Sequence, residues 1–219
     1  MKYVYFYFSL IVFVLFCNGC SKKNNSQLAQ NYYKLSILEL GEGDQTPDTM
    51  KKALNYVELA LTQDEDSKYL ALKASILFKL GYIDDSKIIF KQVLSKDLDP
   101  ILKTEVFNNY ACLLAQEGET NDALQIWEGL EKDKNYLTPQ VSLFNQSRIY
   151  FNNNDLKKAK EKLTKSIFLE PSYIDARYFL AQILVKLQDF KSAKQELTTI
   201  LFLAPEHEAA KKLSNSIMY

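Results

Sequence analysis

Apolar and polar residues follow one another along most of this chain with the spacing of α-helices. Large apolar side chains recur three or seven positions apart, as at Leu70, Leu77 and Leu80, so each stretch carries one apolar stripe. The chain has only 6 glycines and 5 prolines in 219 residues, too few turn-forming residues for a protein of many short strands. We therefore predict an all-α fold of long helices joined by short turns.

Small residues interrupt the apolar stripes at regular places. Because small side chains let two helices approach closely, this pattern predicts pairs of antiparallel helices that pack at these positions. The small residues are Ser36, Ala53, Ala60, Ala74, Ser86, Ala111, Ala123, Ser147, Ala159, Ser166, Ala181 and Ala193.

The sequence also repeats itself. The segment Asp155–Lys160 returns as Asp189–Lys194, and Phe168–Pro171 returns as Phe202–Pro205, each 34 residues later. The period, the alanine, the large apolar residue and the final proline resemble the tetratricopeptide repeat, in which each repeat is a helix–turn–helix. The resemblance implies an α-solenoid, in which stacked neighbours bury the apolar face that a single helix pair leaves open.

Extending the register backwards places Gly118 and Gly81 where Asn154 stands in the fourth repeat. Thr46 followed by Pro47 predicts a helix N-terminus. The predicted array spans residues 28–205 as about five repeats, followed by a C-terminal capping helix at 206–219 with Ala209, Ala210, Leu213 and Ile217 on its buried stripe. The repeats are predicted at about 28–66, 67–103, 104–139, 140–173 and 174–205.

The N-terminus has the composition of a secretory signal. Lys2 precedes an apolar run from Tyr3 to Phe16, which is shorter than the ~20 residues that span a bilayer as a helix. The polar residues that follow, from Ser21 to Ser26, predict a flexible tether.

Gly19 and Cys20 at the end of this run resemble a bacterial lipobox, although Cys17 and Asn18 depart from its usual aliphatic and small residues. The resemblance implies a lipoprotein signal peptide at 1–19, removed so that Cys20 becomes the lipidated N-terminus of a tether at 20–27. The protein is then expected in a bacterial cell envelope, held by its lipid to a membrane, with the outer membrane facing the periplasm favoured. The alternative is an uncleaved signal anchor in which both cysteines are incidental.

The charge balance argues against nucleic acid as a partner. Lysine plus arginine and aspartate plus glutamate both number 27, and losing Lys2 with the signal peptide leaves a net charge of −1. Nucleic-acid binding needs a basic excess, so the predicted partner is a protein. The run Lys157–Lys162 predicts an exposed helix face, with contact to anionic lipid as an alternative.

Residues typical of catalysis are sparse. The one histidine, His207, is predicted as a solvated residue in the first turn of the last helix, and Cys112 as a buried, inert thiol. No phosphate-binding loop or nucleophile elbow is present. We therefore predict a protein that is not an enzyme, with no catalytic residues, no metal, no cofactor and no small-molecule substrate.

The first helices of tetratricopeptide repeats line the concave face of the array, and this resemblance implies a protein-binding surface here. The lysine and asparagine pair that clamps a terminal carboxylate in chaperone-binding members is missing. Aromatic residues and arginine dominate interface energies, so binding is one interpretation, and simple packing between helices is the other. The candidate residues are Asn108, Phe144, Arg148, Phe151, Tyr178 and Gln182.

The segment Val106–Ala111, with its Asn-Asn-Tyr sequence, resembles the type IV pilus pilotin lipoproteins, which help a secretin ring to assemble. The loop Lys132–Pro139 continues the resemblance, whereas the predicted five repeats are one fewer than in that family. The resemblance implies a scaffold in pilus or secretin biogenesis. The alternatives are an accessory lipoprotein of outer-membrane protein assembly and a general envelope scaffold unrelated to pili.

Overall fold

The computed structural model describes residues 25–41 and 46–217. The predicted signal peptide, Cys20 and most of the predicted tether lie outside the described residues. Within these two ranges the chain forms eleven α-helices and no strand. The helices are α1 (25–41), α2 (Pro47–Gln63), α3 (Ser67–Leu80), α4 (Ile83–Leu94), α5 (Pro100–Gln116), α6 (Thr120–Leu130), α7 (Pro139–Asn152), α8 (Leu156–Leu169), α9 (Ile174–Lys186), α10 (Phe190–Leu203) and α11 (Glu208–Ser216).

The helices divide into two compact bodies, and the division falls between Leu102 and Lys103 in the first turn of α5. The N-terminal body has a core from α1, α2 and α3, centred on Val57, Tyr69 and Ile76. In the C-terminal body the helices from α6 to α11 each pack against the next. Its core is built of successive clusters, which include Trp127 and Leu163.

The predicted small residues hold the helix pairs together. All twelve are fully buried, which confirms the prediction of close helix approach at these places. The serines add hydrogen bonds across the contacts: Ser36 Oγ donates to the carbonyl of Ala53 and Ser86 Oγ to that of Ala74, both at 2.8 Å. Such buried hydroxyls need a partner, and the neighbouring helix backbone supplies it.

The turn inside each helix pair is built in the same way four times. The residue just before the N-cap of the second helix has a positive φ, +87° at Gly81 and Gly118 and +60° at Asn154 and Gln188. The following backbone N–H groups then donate to carbonyls of the last helical turn, as from Asp189 to Leu184 at 2.9 Å. The sequence register aligned Gly81, Gly118 and Asn154, and the structure gives these three residues the same backbone conformation, which Gln188 shares 34 residues after Asn154. This part of the register is therefore confirmed.

Helix starts and ends follow the local signals. Thr46 Oγ1 accepts a hydrogen bond from the N–H of Thr49, and Pro47 occupies the first helical turn of α2, as predicted. The helices α8 and α10 end two residues before Pro171 and Pro205.

Three details of the termini differ from the sequence predictions. Residues 25–27, predicted in the tether, are helical in α1, where the side-chain amide of Gln27 donates to Asn31 one turn on. In α11 Ala209 is exposed rather than buried. His207 lies just before α11 as its N-cap, half-buried, because its Nδ1 accepts the N–H of Ala210 at 3.1 Å. That cap sets the rotation of α11, which turns Ala210 inwards.

Candidate protein-binding cleft

Two neighbouring first helices of the C-terminal body, α7 and α9, line an open cleft. Four of the six predicted residues lie on its wall, two from each helix, at helical spacings of four residues. The cleft has a volume of about 230 Å³ and is lined by Phe144, Arg148, Asp175, Tyr178, Phe179 and Gln182. We call this site the α7–α9 cleft.

Aromatic rings form the apolar floor of the cleft. The ring of Phe144 lies 5.4 Å from that of Tyr173 and 6.0 Å from that of Phe179, between centroids. Phe179 also meets Phe151 edge-on at 5.1 Å. Tilted and edge-to-face contacts at these distances are attractive. The rings therefore pack between helices and also present apolar surface to the cleft.

The rim of the cleft is polar. In the part of the chain that the structure describes, the Arg148 guanidinium, the Asp175 carboxylate and the Gln182 amide have no hydrogen-bond or ion-pair partner, and all three side chains are exposed. Tyr178 is held at one side by its contact with the His207 ring, 5.2 Å away. The rim thus presents a cation, an anion and an amide around an apolar floor.

Asn108 is occupied elsewhere. Its Oδ1 accepts a hydrogen bond of 3.0 Å from the indole N–H of Trp127, which is 1% exposed, and its Nδ2 donates to Asn109. Asn108 is not among the residues that line the cleft. Its role in the structure is to satisfy a buried donor between α5 and α6.

Phe151 does not line the cleft but packs against the floor residue Phe179. Its ring packs against Phe179, and the ammonium group of Lys186 lies 4.8 Å from its centroid, so one face of the ring is covered by a cation. Two lining residues, Asp175 and Phe179, were not predicted. Asp175 stands three residues before Tyr178, and this helical spacing indicates that the two share one helix face. No sequence pattern indicates Phe179, because its place in the cleft depends on the packing of α7 against α9.

Cys112 is chemically quiet, as predicted, although its side chain is partly rather than fully buried. The side-chain amide of Asn145 donates to its Sγ at 3.3 Å. Burial raises the pKa of the Cys112 thiol to about 11, although the charge of Arg148 acts in the opposite direction. The thiol is therefore protonated at neutral pH, and it is a poor nucleophile.

Two features bear on chemistry and membranes. In residues 25–41 and 46–217 no group of three or more histidine, cysteine, aspartate or glutamate side chains is placed to hold a metal ion. No helix in the same ranges is long and apolar enough to cross a bilayer.

Comparison with known proteins identifies the repeats. Models described as tetratricopeptide repeat match residues 67–99 and 150–217. Curated protein sequences give no match. The described residues therefore have the fold of a tetratricopeptide-repeat protein, which confirms the predicted all-α class.

Solved structures agree with this fold. MamA from Desulfovibrio magneticus RS-1 is similar with a TM-score of 0.57 and 20% identity, over 82% of this chain and 96% of that one. The Pseudomonas aeruginosa pilF protein has a TM-score of 0.67 and 17% identity, over 89% and 90%. PilW, a type IV pilus biogenesis factor, has 0.65 and 17%, over 87% and 92%. At these identities the likeness shows the fold alone.

Proposed function

We propose that this protein is a non-enzymatic scaffold that holds a protein partner in its α7–α9 cleft. The observation that carries the proposal is the unpaired rim of Arg148, Asp175 and Gln182 around the rings of Phe144 and Phe179. Tetratricopeptide arrays bind other proteins on such surfaces. Arginine and aromatic residues contribute most to the binding energy of protein interfaces.

The size of the cleft favours a protein partner over a small metabolite. At about 230 Å³ it is smaller than the ~300–1,000 Å³ of typical small-molecule pockets, and it is open on one side. A volume of this size accommodates one apolar side chain of an extended segment. Arg148 then pairs with a carboxylate of the partner, and Asp175 and Gln182 take its backbone or polar groups.

We further propose that the protein is anchored in a bacterial envelope through a lipid on Cys20, and that it assists type IV pilus or secretin biogenesis. The pilus role is supported by the Asn-Asn-Tyr segment Val106–Ala111 and by the common fold with PilF and PilW. MamA also shares the fold, although with a lower TM-score, so the segment carries more of this argument than the fold does. An accessory role in outer-membrane protein assembly is the alternative, and a general envelope scaffold is the third.

Site-specific cross-linking tests the cleft directly. A photoreactive amino acid at position 182, on the rim, is expected to capture one dominant envelope protein, whereas the same group at Asn121, on the exposed side of α6, captures none. Arg148→Glu abolishes the capture because it reverses the rim charge. The matched control is Lys132→Glu, an exposed lysine in the loop before α7, which leaves it intact.

The identity of the captured protein separates the candidate roles. A secretin supports the pilus role, and an outer-membrane assembly factor supports the alternative. Equal capture from positions 182 and 121, or capture that survives Arg148→Glu, contradicts binding in the cleft. Mass spectrometry of the N-terminal peptide tests the anchor: acyl chains on Cys20 support it, and an intact residue 1–20 peptide contradicts it.

A further inference from the structure

Two phenylalanines stand almost fully in solvent on the second helices of the C-terminal body. Phe168 at the end of α8 is 83% exposed, and Phe202 at the end of α10 is 84% exposed. They occupy the same position of successive repeats, and each is followed by a half-exposed leucine, Leu169 or Leu203. No other large apolar side chain in the described residues exceeds 64% exposure. A recurring exposed aromatic pair of this kind is typical of a contact surface.

Lysines lie on the exposed sides of α8 and α10, in the two stripes of residues that end at Phe168 and Phe202. On α8, Lys157 and Lys165 lie eleven and three residues before Phe168, and on α10, Lys191 and Lys194 lie eleven and eight residues before Phe202. Exposed threonines complete the stripes. We define the outward face as Lys157, Glu161, Thr164, Lys165 and Phe168 of α8 with Lys191, Lys194, Thr198 and Phe202 of α10.

The outward face carries an unneutralised positive charge. Its one acidic residue, Glu161, is already paired with Lys165 at 2.8 Å. Across residues 25–41 and 46–217, Lys157, Lys191 and Lys194 have no ion pair. Other lysines of these helices serve the fold instead: Lys162, for example, bridges to Glu131 at 2.8 Å.

A shallow groove runs along α10 on this face, between its start and Thr199. It has a volume of about 430 Å³ and is lined by Lys191, Lys194, Gln195, Thr198 and Thr199. The ammonium groups of Lys191 and Lys194 are donors for phosphate oxygens, whereas the hydroxyls of Thr198 and Thr199 already donate to the carbonyls of Lys194 and Gln195. The groove thus lies along the same helix whose last turn presents Phe202.

We propose that the outward face docks on an anionic phospholipid surface, with Phe168 and Phe202 at the acyl boundary and the lysines on lipid phosphates. Apolar burial together with attraction to anionic lipid is the usual basis of such peripheral binding. Each lysine near an anionic membrane contributes about a fivefold gain in partition. A second copy of the chain is the poorer occupant, because two such faces repel each other. The inference goes beyond the proposed scaffold and stands on α8 and α10 alone.

Tryptophan quenching in vesicles tests the docking on the full chain. The Phe202→Trp variant is mixed with vesicles whose acyl chains carry bromine, made of phosphatidylcholine alone or together with phosphatidylglycerol. We expect the introduced indole to lose most of its fluorescence in the anionic vesicles only. The native Trp127 is 1% exposed and gives a constant background. Tyr178→Trp, in the α7–α9 cleft, is the matched control and stays unquenched.

Charge reversal completes the test. Reversing Lys157, Lys191 and Lys194 to glutamate removes the quenching, since the three lysines together contribute about a hundredfold in partition. Circular dichroism verifies that each variant keeps its helices. Equal quenching in phosphatidylcholine alone, or equal quenching at positions 202 and 178, overturns the proposal. A concentration-dependent dimer that Phe168→Ser with Phe202→Ser abolishes also overturns it and assigns the face to a second copy. None of these outcomes alters the cross-linking result at position 182.

Discussion

Replacing Asn108 with alanine distinguishes the binding role that the sequence predicts for this residue from the role in stability that the structure gives it. In the structure its Oδ1 is the acceptor for the indole N–H of Trp127, at 3.0 Å. Asn108→Ala leaves that donor buried without a partner, which costs about 1–3 kcal/mol. We therefore expect the C-terminal body to lose stability by this amount, while capture by the cross-linker at position 182 is unchanged.

A double-mutant cycle isolates the hydrogen bond. Trp127→Phe removes the donor and also some packing, and the cycle cancels the packing loss. We expect Asn108→Ala to cost at least about 1 kcal/mol less in the Trp127→Phe background than in the native one. Asn108→Asp is the control, because a carboxylate oxygen is still an acceptor for the indole.

Amide hydrogen exchange in α5 and α6 is the suitable assay. Repeat arrays unfold in parts, so a global midpoint would dilute a local effect. The opening free energies of amides in these two helices report the loss where it occurs. Equal costs of Asn108→Ala in both backgrounds would refute the assignment and point to another partner for Trp127.

Three further predictions concern packing, backbone and pH. Ala159→Leu overpacks a fully buried helix contact and is expected to cost about 1–3 kcal/mol in urea unfolding, against less than about 0.5 for the exposed control Lys157→Leu. Gln188→Gly is expected to stabilise the protein by up to about 1 kcal/mol, because glycine adopts positive φ without strain, whereas Asn154→Gly changes little; equal effects would contradict this. Because burial raises the pKa of Cys112 to about 11 from 9.0, the unfolded chain loses its proton first. Stability therefore falls between those pH values in wild type more than in Cys112→Ala, and equal slopes would contradict the buried thiol.

The cleft and the outward face lie on different helices of the same repeats. The first helices, α7 and α9, carry the cleft, and the second helices, α8 and α10, carry the outward face. The two surfaces are separate because the two helices of a pair bury their small residues against each other and leave different sides exposed. One surface can therefore change without the other, which makes the two experiments independent.

Much of the fold was predictable because its signals are local. These signals act within a helix or between adjacent helices: helix spacing, capping residues such as Thr46, and the small residues. Because the chain repeats every 34 residues, similar signals occur in several repeats. The positive-φ turn is an example: Gly81 and Gly118 show it by residue type, and Asn154 follows by register. Gln188 fits only by register, since glutamine has no preference for that conformation.

The cleft was predictable in part. Phe144, Arg148, Tyr178 and Gln182 follow from the register of the first helices, and the structure brings these four together. Asn108 obeys the same register but turns to Trp127, since a buried indole needs an acceptor and no pattern along the chain reveals which side chain supplies it.

The sequence by itself determined the helices, their pairing and which small residues are buried, because these depend on neighbours close along the chain. Only the tertiary structure decided that Phe179 joins the cleft floor, that Asp175 and Arg148 line the same cleft, and that Phe168 and Phe202 are left in solvent. Those outcomes depend on how far and at what angle one helix crosses the next. That geometry arises from the packing of many side chains at once, which no single periodicity encodes.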